Sequence, residues 1–133
     1  MADKTFQCTV ITPETAVLQE EATSVVIPAH DGEIGILRDR APLLCRLGIG
    51  ILRLDGSEGP KRLFIDAGFA EVLDNQVNVL TEQALAADQI DLDAERQALE
   101  DARQRKAMTA EEHAARNRDL ARAGTKIKLA STA

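Results

Sequence analysis

The chain changes its grammar near Ala84. Before that point, short apolar stretches alternate with polar residues at a period of two and are broken every few residues by Gly, Pro, Asp or Asn. After it, Pro is absent, Gly does not recur until Gly124, β-branched residues thin out, and Ala, Glu and Arg take over. A period of two suits strands with one buried face, whereas an Ala/Glu/Arg-rich run suits helices. One secondary-structure class cannot satisfy both halves. The sequence therefore predicts residues 1–87 as a β domain and residues 88–133 as a helical one.

Within the first part, Phe6, Cys8 and Val10 alternate with Gln7, Thr9 and Ile11, and Pro13-Glu14 breaks that run. A second strand starts at Thr15–Leu18. Thr23, Val25 and Ile27 alternate next, with Pro28 expected to end them. Asp31-Gly32 forms a tight turn into Ile34-Gly35-Ile36-Leu37, and the polar Arg38-Asp39-Arg40 precedes Ala41-Pro42. In the following long strand, Leu47, Ile49 and Ile51 are expected on one face. Gly48 and Gly50 lie opposite, where they let another backbone approach or let the strand coil. Strands around Gly68 and a hairpin turn at Asp74-Asn75, leading into Val77 and Val79, complete the pattern. Short antiparallel strands with turns at this spacing argue for a β-sandwich.

In the second part, Asp91 is placed to cap a helix from about Leu92 to Ala107, and Thr109-Ala110-Glu111-Glu112 is a capping box opening a second helix. Gly124 is expected to end that helix. Acidic Asp93 and Glu95 come early in the first helix, and Arg103, Arg105 and Lys106 come late, an order that complements the helix dipole. Between residues 91 and 123 the large apolar side chains are only Leu92, Leu99, Met108 and Leu120. Each contributes about 1.5–3 kcal/mol when buried. The expectation is a lightly docked antiparallel hairpin whose helices survive undocking, as in a movable arm. A static hairpin capping the sandwich is the alternative.

The net charge is −6, which argues against a nucleic-acid partner, since phosphate binding needs a basic surface. The charge is unevenly spread: residues 1–90 carry 7 basic and 14 acidic side chains, and residues 91–133 carry 9 and 8. The tail is thus the better match for an acidic partner. Three Phe, no Tyr and no Trp imply an aliphatic core. Cys8 and Cys45 are too few and too far apart for a zinc site and read as small buried hydrophobes in a reducing cytosol. The N-terminal MADKTF has no apolar targeting core, and no run approaches the roughly 20 apolar residues of a membrane span. Membrane association is expected only through a partner.

No catalytic or metal constellation emerges. His30 and Glu33 flank the turn without a second histidine, His113 sits among charges, and Ser24, Ser57 and Ser131 lack glycine spacing or a partnered base. The Asp31-Gly32-Glu33-Ile34-Gly35 hairpin reads either as a plain tight turn or as a contact loop presenting Glu33 beside exposed Ile34 and Ile36. Asp93 and Arg96, three apart on one helix face, are either a ligand-like cluster or a surface ion pair.

The segments IPAHDGEIGIL (27–37), APLL (41–44), GILRL (50–54) and DAGFAEVLDNQVNVL (66–80) resemble the epsilon subunit of the F-type ATP synthase of bacteria. The resemblance implies an antiparallel sandwich of about ten strands followed by a two-helix hairpin. It implies a non-catalytic central-stalk (rotor) subunit that couples the membrane c-subunit ring to the gamma shaft. The complex would lie peripherally on the cytoplasmic face of the inner membrane. Asp31, Gly32, Glu33, Ile34 and Gly35 then match the c-ring contact. Arg40, Ala41 and Pro42 match a shaft and ring contact, where the family often has Gly-His-Ala-Pro in place of Asp39-Arg40-Ala41-Pro42. The hairpin, when extended, would reach the alpha/beta catalytic head through Arg103, Arg105, Arg116 and Arg118 and inhibit ATP hydrolysis. No cofactor is required. A regulatory ATP is implied by Leu92, Asp93 and Arg96, with Gln97 standing where the motif has alanine and with Arg122 and Lys126 as second-helix partners. A free nucleotide-sensing module is the alternative from another class, and a small hydrolase is a third.

Overall fold

The structure is a computed structural model and describes residues 4–132. Met1–Asp3, part of the N-terminus read above for targeting, and Ala133 lie outside the described residues. Seven strands are followed by a short 3-10 turn, Ala87–Gln89, and two helices. The strands are β1 (Phe6–Ile11), β2 (Ala16–Ala29), β3 (Gly32–Ile36), β4 (Leu43–Gly56), β5 (Gly59–Leu73), β6 (Gln76–Leu80) and β7 (Ala84–Leu85). They pair in the order β1-β6-β5-β4-β2-β3, with β7 on β5, and β1 also pairs with β2, which closes the ring of strands. Three strands are long, bend, and contribute to both layers: β2, β4 and β5.

The bends are where the sequence reading departs from the fold. In β4 the core face is occupied by Leu47 and then by Leu52 and Leu54, while Ile49 and Ile51 are only half-buried. Alternation therefore slips by one residue across Gly48–Ile51, and the single face expected from Leu47, Ile49 and Ile51 does not exist. Gly48 admits another backbone, since a Cβ there would lie 3.4 Å from the Ala29 carbonyl oxygen, whereas Gly50 makes room for the Pro28 ring, 2.6 Å from where its Cβ would be. Pro28 does not end its strand. It sits within β2, where the β2–β4 ladder is interrupted between Val26 and Ala29, so its missing N–H costs no ladder bond to β4. In β5 the bend falls at Ala67 and Gly68, both at positive φ. A side chain on Gly68 would strike the Leu80 carbonyl, so only glycine fits there. One pairing, β1 with β6, is parallel rather than antiparallel.

The core is aliphatic. Val10, Val25, Ile27, Leu52, Leu54, Ile65, Val77 and Val79 are fully buried in it. Asp74 and Asn75 both take positive φ in a two-residue hairpin between β5 and β6, the geometry that matches strand twist. Cys8 is buried, and burial together with the nearby Glu20 charge pushes its thiol up to about 12. Cys45 is only half-buried, which corrects the expectation for it, and its thiol is raised chiefly by that burial. Both cysteines are free.

Helix α1 spans Leu92–Gln104, and Asp91 caps it by accepting the Ala94 N–H at 3.1 Å. It stops short of Ala107 because Arg116 of the second helix reaches across: its Nε and Nη2 donate to the Ala102 and Arg103 carbonyls, satisfying groups a longer helix would have used. Helix α2 spans Ala110–Ser131, with Thr109 accepting the Glu112 N–H and Glu112 accepting the Met108 N–H. Gly124 lies inside α2, not at its end. Interior glycine costs about 1 kcal/mol. The residues beyond it carry Leu129, fully buried, and Lys126 over Phe64, contacts that outweigh that cost.

Candidate interaction surfaces

The β2–β3 turn presents Asp31, Gly32, Glu33 and Gly35 to solvent. Ile34 is half-buried and Ile36 is 1% exposed, because β3 lies against β2 with Ile36 opposite core Val25. The exposed apolar pair expected beside Glu33 is therefore absent, and the loop is polar. The Glu33 carboxylate lies 3.7 Å from Arg53. Arg40, Ala41 and Pro42 are exposed on the next loop. That loop is fixed at Asp39, which sits at φ +66: its N–H donates to Asn75 Oδ1 at 2.7 Å, and Asn75 Nδ2 returns a bond to its carboxylate. His30 and His113 are exposed. Among the described residues, no cluster of His, Cys, Asp and Glu has metal-binding geometry, and no helix is long and apolar enough to cross a membrane.

Leu37, just after β3, is exposed, and a paired exposed apolar surface lies elsewhere. Phe69 and Leu80 are cross-strand partners, each about half exposed, and they wall a groove with Ile11, Pro13 and Gly68. Leu44, on the neighbouring strand, is 72% exposed. An exposed apolar groove of this kind on a small domain marks a contact surface. The sequence held a signal for it: Phe69 and Leu80 fall out of phase with buried Ala70, Val72, Val77 and Val79 on the same strands.

The hairpin lies against β4 and β5 with its second helix. Phe64 and Asp66 point away from the core, and α2 covers them. Arg122 Nε donates to Asp66 Oδ2 at 2.9 Å, and the Lys126 ammonium lies 5.1 Å from the centre of the Phe64 ring, a cation–π contact. Lys126 also pairs with Glu95 of α1 at 3.6 Å. Between the helices, Glu95, Asp101, Arg105, Asp119, Arg122 and Lys126 line a cleft of about 330 Å³. Leu92 is half-buried, whereas the Asp93 and Arg96 side chains are mostly exposed, 3.9 Å from each other. They are outside that cleft, so the structure brings Arg122 and Lys126 together but not with the first-helix motif. Arg105 is engaged with Asp119 and Arg116 with the end of α1, whereas Arg103 and Arg118 are exposed and form no ion pair among the described residues. The pairing with Arg105, above all, and with Arg122 holds the Asp119 carboxyl below its usual range.

Residues 5–87 match the family of the ATP synthase delta/epsilon chain β-sandwich domain. An ATP synthase epsilon chain of Syntrophomonas wolfei is 40% identical over 131 residues, covering 96% of each chain. The chain belongs to the ATP synthase delta/epsilon chain family. An epsilon chain of Rhodopirellula baltica is 50% identical over 88 residues, 66% of this chain and 69% of that one. One of Nitratidesulfovibrio vulgaris is 36% identical over 133 residues, 98% and 99% of the two chains. The fold is shared with a chain of the Euglena gracilis mitochondrial ATP synthase (TM-score 0.83, 24% identity, 98% of this chain and 82% of that one). It is shared also with a chain of the central stalk and c-ring of the Tetrahymena thermophila enzyme (TM-score 0.69, 14% identity, 95% and 93%). As an epsilon-family chain this is an accessory subunit of the synthase, not its catalytic part.

Proposed function

We propose that this epsilon-family chain is a rotor subunit of the central stalk, joining the c-subunit ring to the gamma shaft and restraining ATP hydrolysis through its hairpin. The observation that carries the reading is the division of labour on one molecule. The sandwich offers an exposed apolar strip, Leu44, Phe69 and Leu80, suited to a permanent partner such as the shaft. Its polar turn at Asp31–Gly35 suits the polar loops of the ring, and Arg40–Pro42 borders both. The hairpin rests on the sandwich through a few contacts and keeps Arg103 and Arg118 available for an acidic segment of the alpha/beta head. Placement on the cytoplasmic face of the bacterial inner membrane, held there through the complex, follows from the same assignment.

Deleting residues 88–133 tests it in the reconstituted complex. The truncated chain is expected to assemble with gamma and the c ring and to raise ATPase activity. Unchanged hydrolysis in a fully assembled complex contradicts the regulatory role, and loss of assembly contradicts the claim that the sandwich alone docks.

The regulatory ATP belongs to the same proposal. Arg122 and Lys126 are the cations a triphosphate would meet, but Asp66 and Glu95 already neutralise them, so a nucleotide has to displace these carboxylates. Calorimetry of the isolated chain tests this: saturable heat that Arg122→Ala removes supports the site, and silence at millimolar ATP refutes it.

A further inference from the structure

We propose that Asp66 is a latch: a buried carboxylate, preset by the sandwich, that holds the hairpin down through Arg122 without any nucleotide. Four observations converge on it. The backbone of Asp66 is pinned at the β5 bend, its N–H donating to Thr81 Oγ1 and to the Gln83 carbonyl and its own carbonyl accepting from Thr81 Oγ1. The backbone thus fixes Asp66 on the face of β5 that α2 covers, independently of the Arg122 contact. Its side chain is 12% exposed, and Oδ1 is buried with no hydrogen-bond partner, so Arg122 is its one charge partner. Among the described residues, Asp66–Arg122 is the one ion pair that joins hairpin to sandwich; Arg105–Asp119 and Lys126–Glu95 stay within the hairpin. Finally, Arg122 also donates to Asp119, whose other oxygen takes Arg105 at 2.7 Å. One guanidinium thus ties β5 to α2, and through Asp119 to the end of α1.

The two partners do not depend on each other equally. Arg122 is 36% exposed and keeps Asp119 if Asp66 is lost. Among the described residues, Asp66 has no ion-pair partner other than Arg122 while the helix covers it. Removing one member of a buried pair is far more damaging than removing both, because an uncompensated charge remains in place. The latch therefore predicts an asymmetry that ordinary packing does not. With Arg122→Gln the docked state must bury a bare carboxylate, and the hairpin opens. With Asp66→Asn the requirement itself disappears, and opening is modest. Adding Asp66→Asn to Arg122→Gln should push the hairpin back down.

The test uses the full chain without nucleotide. Leu129, buried on α2, is changed to Cys, Cys45 to Ser, and the rate of thiol modification at position 129 reports how often the hairpin lifts. Buried Cys8 is the internal control and stays unmodified while the sandwich is folded. All variants are compared within this background. Arg122→Gln is expected to speed modification on the order of a hundredfold, Asp66→Asn about tenfold, and the double variant is expected to fall back below Arg122→Gln alone. Effects that simply add in the double variant, or an Arg122→Gln rate equal to that of the parent, overturn the latch.

Discussion

The sandwich and the hairpin are built from the same alphabet but held by different forces. Within the sandwich, Val10, Val25, Ile27, Leu52, Leu54, Ile65, Val77 and Val79 interlock in one aliphatic core, and the strands close on themselves. In the hairpin, the fully buried positions are Ala102, Ala123 and Leu129, and half-buried Leu92, Leu99, Leu120 and Ile127 are joined by Arg105–Asp119, Asp66–Arg122, Lys126–Glu95 and the arginine cap on α1. Apolar burial scales with area and is not weakened by ionic screening, whereas partly exposed charge pairs are. A regulatory arm has to leave its seat without unfolding the part that is seated on a partner. The chain obtains this by placing most of its buried apolar area in the sandwich, which has ion pairs of its own such as Lys61–Glu20, and by giving the hairpin little such area beside its charge pairs.

The largest effect that sharpens this contrast is in the sandwich. Leu52→Ala is expected to cost about 3 kcal/mol of global stability, within the range for a buried Leu whose cavity cannot collapse. Urea unfolding followed by far-UV circular dichroism reads it as a lower midpoint with unchanged slope; a shift under 1 kcal/mol would mean the core is not the seat of stability. Next comes Leu129→Ala, expected to cost about 2 kcal/mol of docking. Here the sandwich midpoint should stay in place while hairpin amides lose protection, and a matching fall in global stability would erase the distinction between the regions.

The smallest effect is on acidification. Asp119 has a folded-state pKa below its ordinary 3.8, so its clamp on Arg105 and Arg122 is complete above that value and is lost as pH falls through the lower, folded one. Contacts between the helices should be constant from neutral pH down to about 4 and then weaken in more acid solution. NMR shifts of α1 and α2 amides check this, and Asp119→Asn should flatten the response. A transition centred near neutrality would assign the clamp to some other group.

The sequence disclosed the two regions because period two and Ala/Glu/Arg bias are local properties. It disclosed Asp91 and Thr109 as caps, and Asp74-Asn75 as a turn, for the same reason. It failed wherever a distant segment decides. Gly124 has the chemistry of a helix end, yet Lys126 finds Phe64 on β5 and Glu95 on α1, and Leu129 is buried beyond it, so distant contacts carry the helix past it. Ending the helix early also hid Leu129, its one fully buried large side chain, and so made docking look weaker than it is. Leu47, Ile49 and Ile51 look like one face until β4 is bent over Pro28. Asp66 reads as an ordinary strand-end acid, and nothing local reveals that an arginine 56 residues later covers it. The Phe69–Leu80 surface was legible only as a break in phase, which can be weighed once the strand pairing is known.

Native-state hydrogen exchange, measured amide by amide in increasing denaturant at low and high salt, tests the account most directly. The prediction is two openings: a salt-sensitive one at low free energy that releases the α2 face and the Phe64–Asp66 segment beneath it, and a salt-insensitive global one that releases Val10, Val25 and Val79. A single opening shared by helices and sandwich, with one free energy at both salt concentrations, would contradict it.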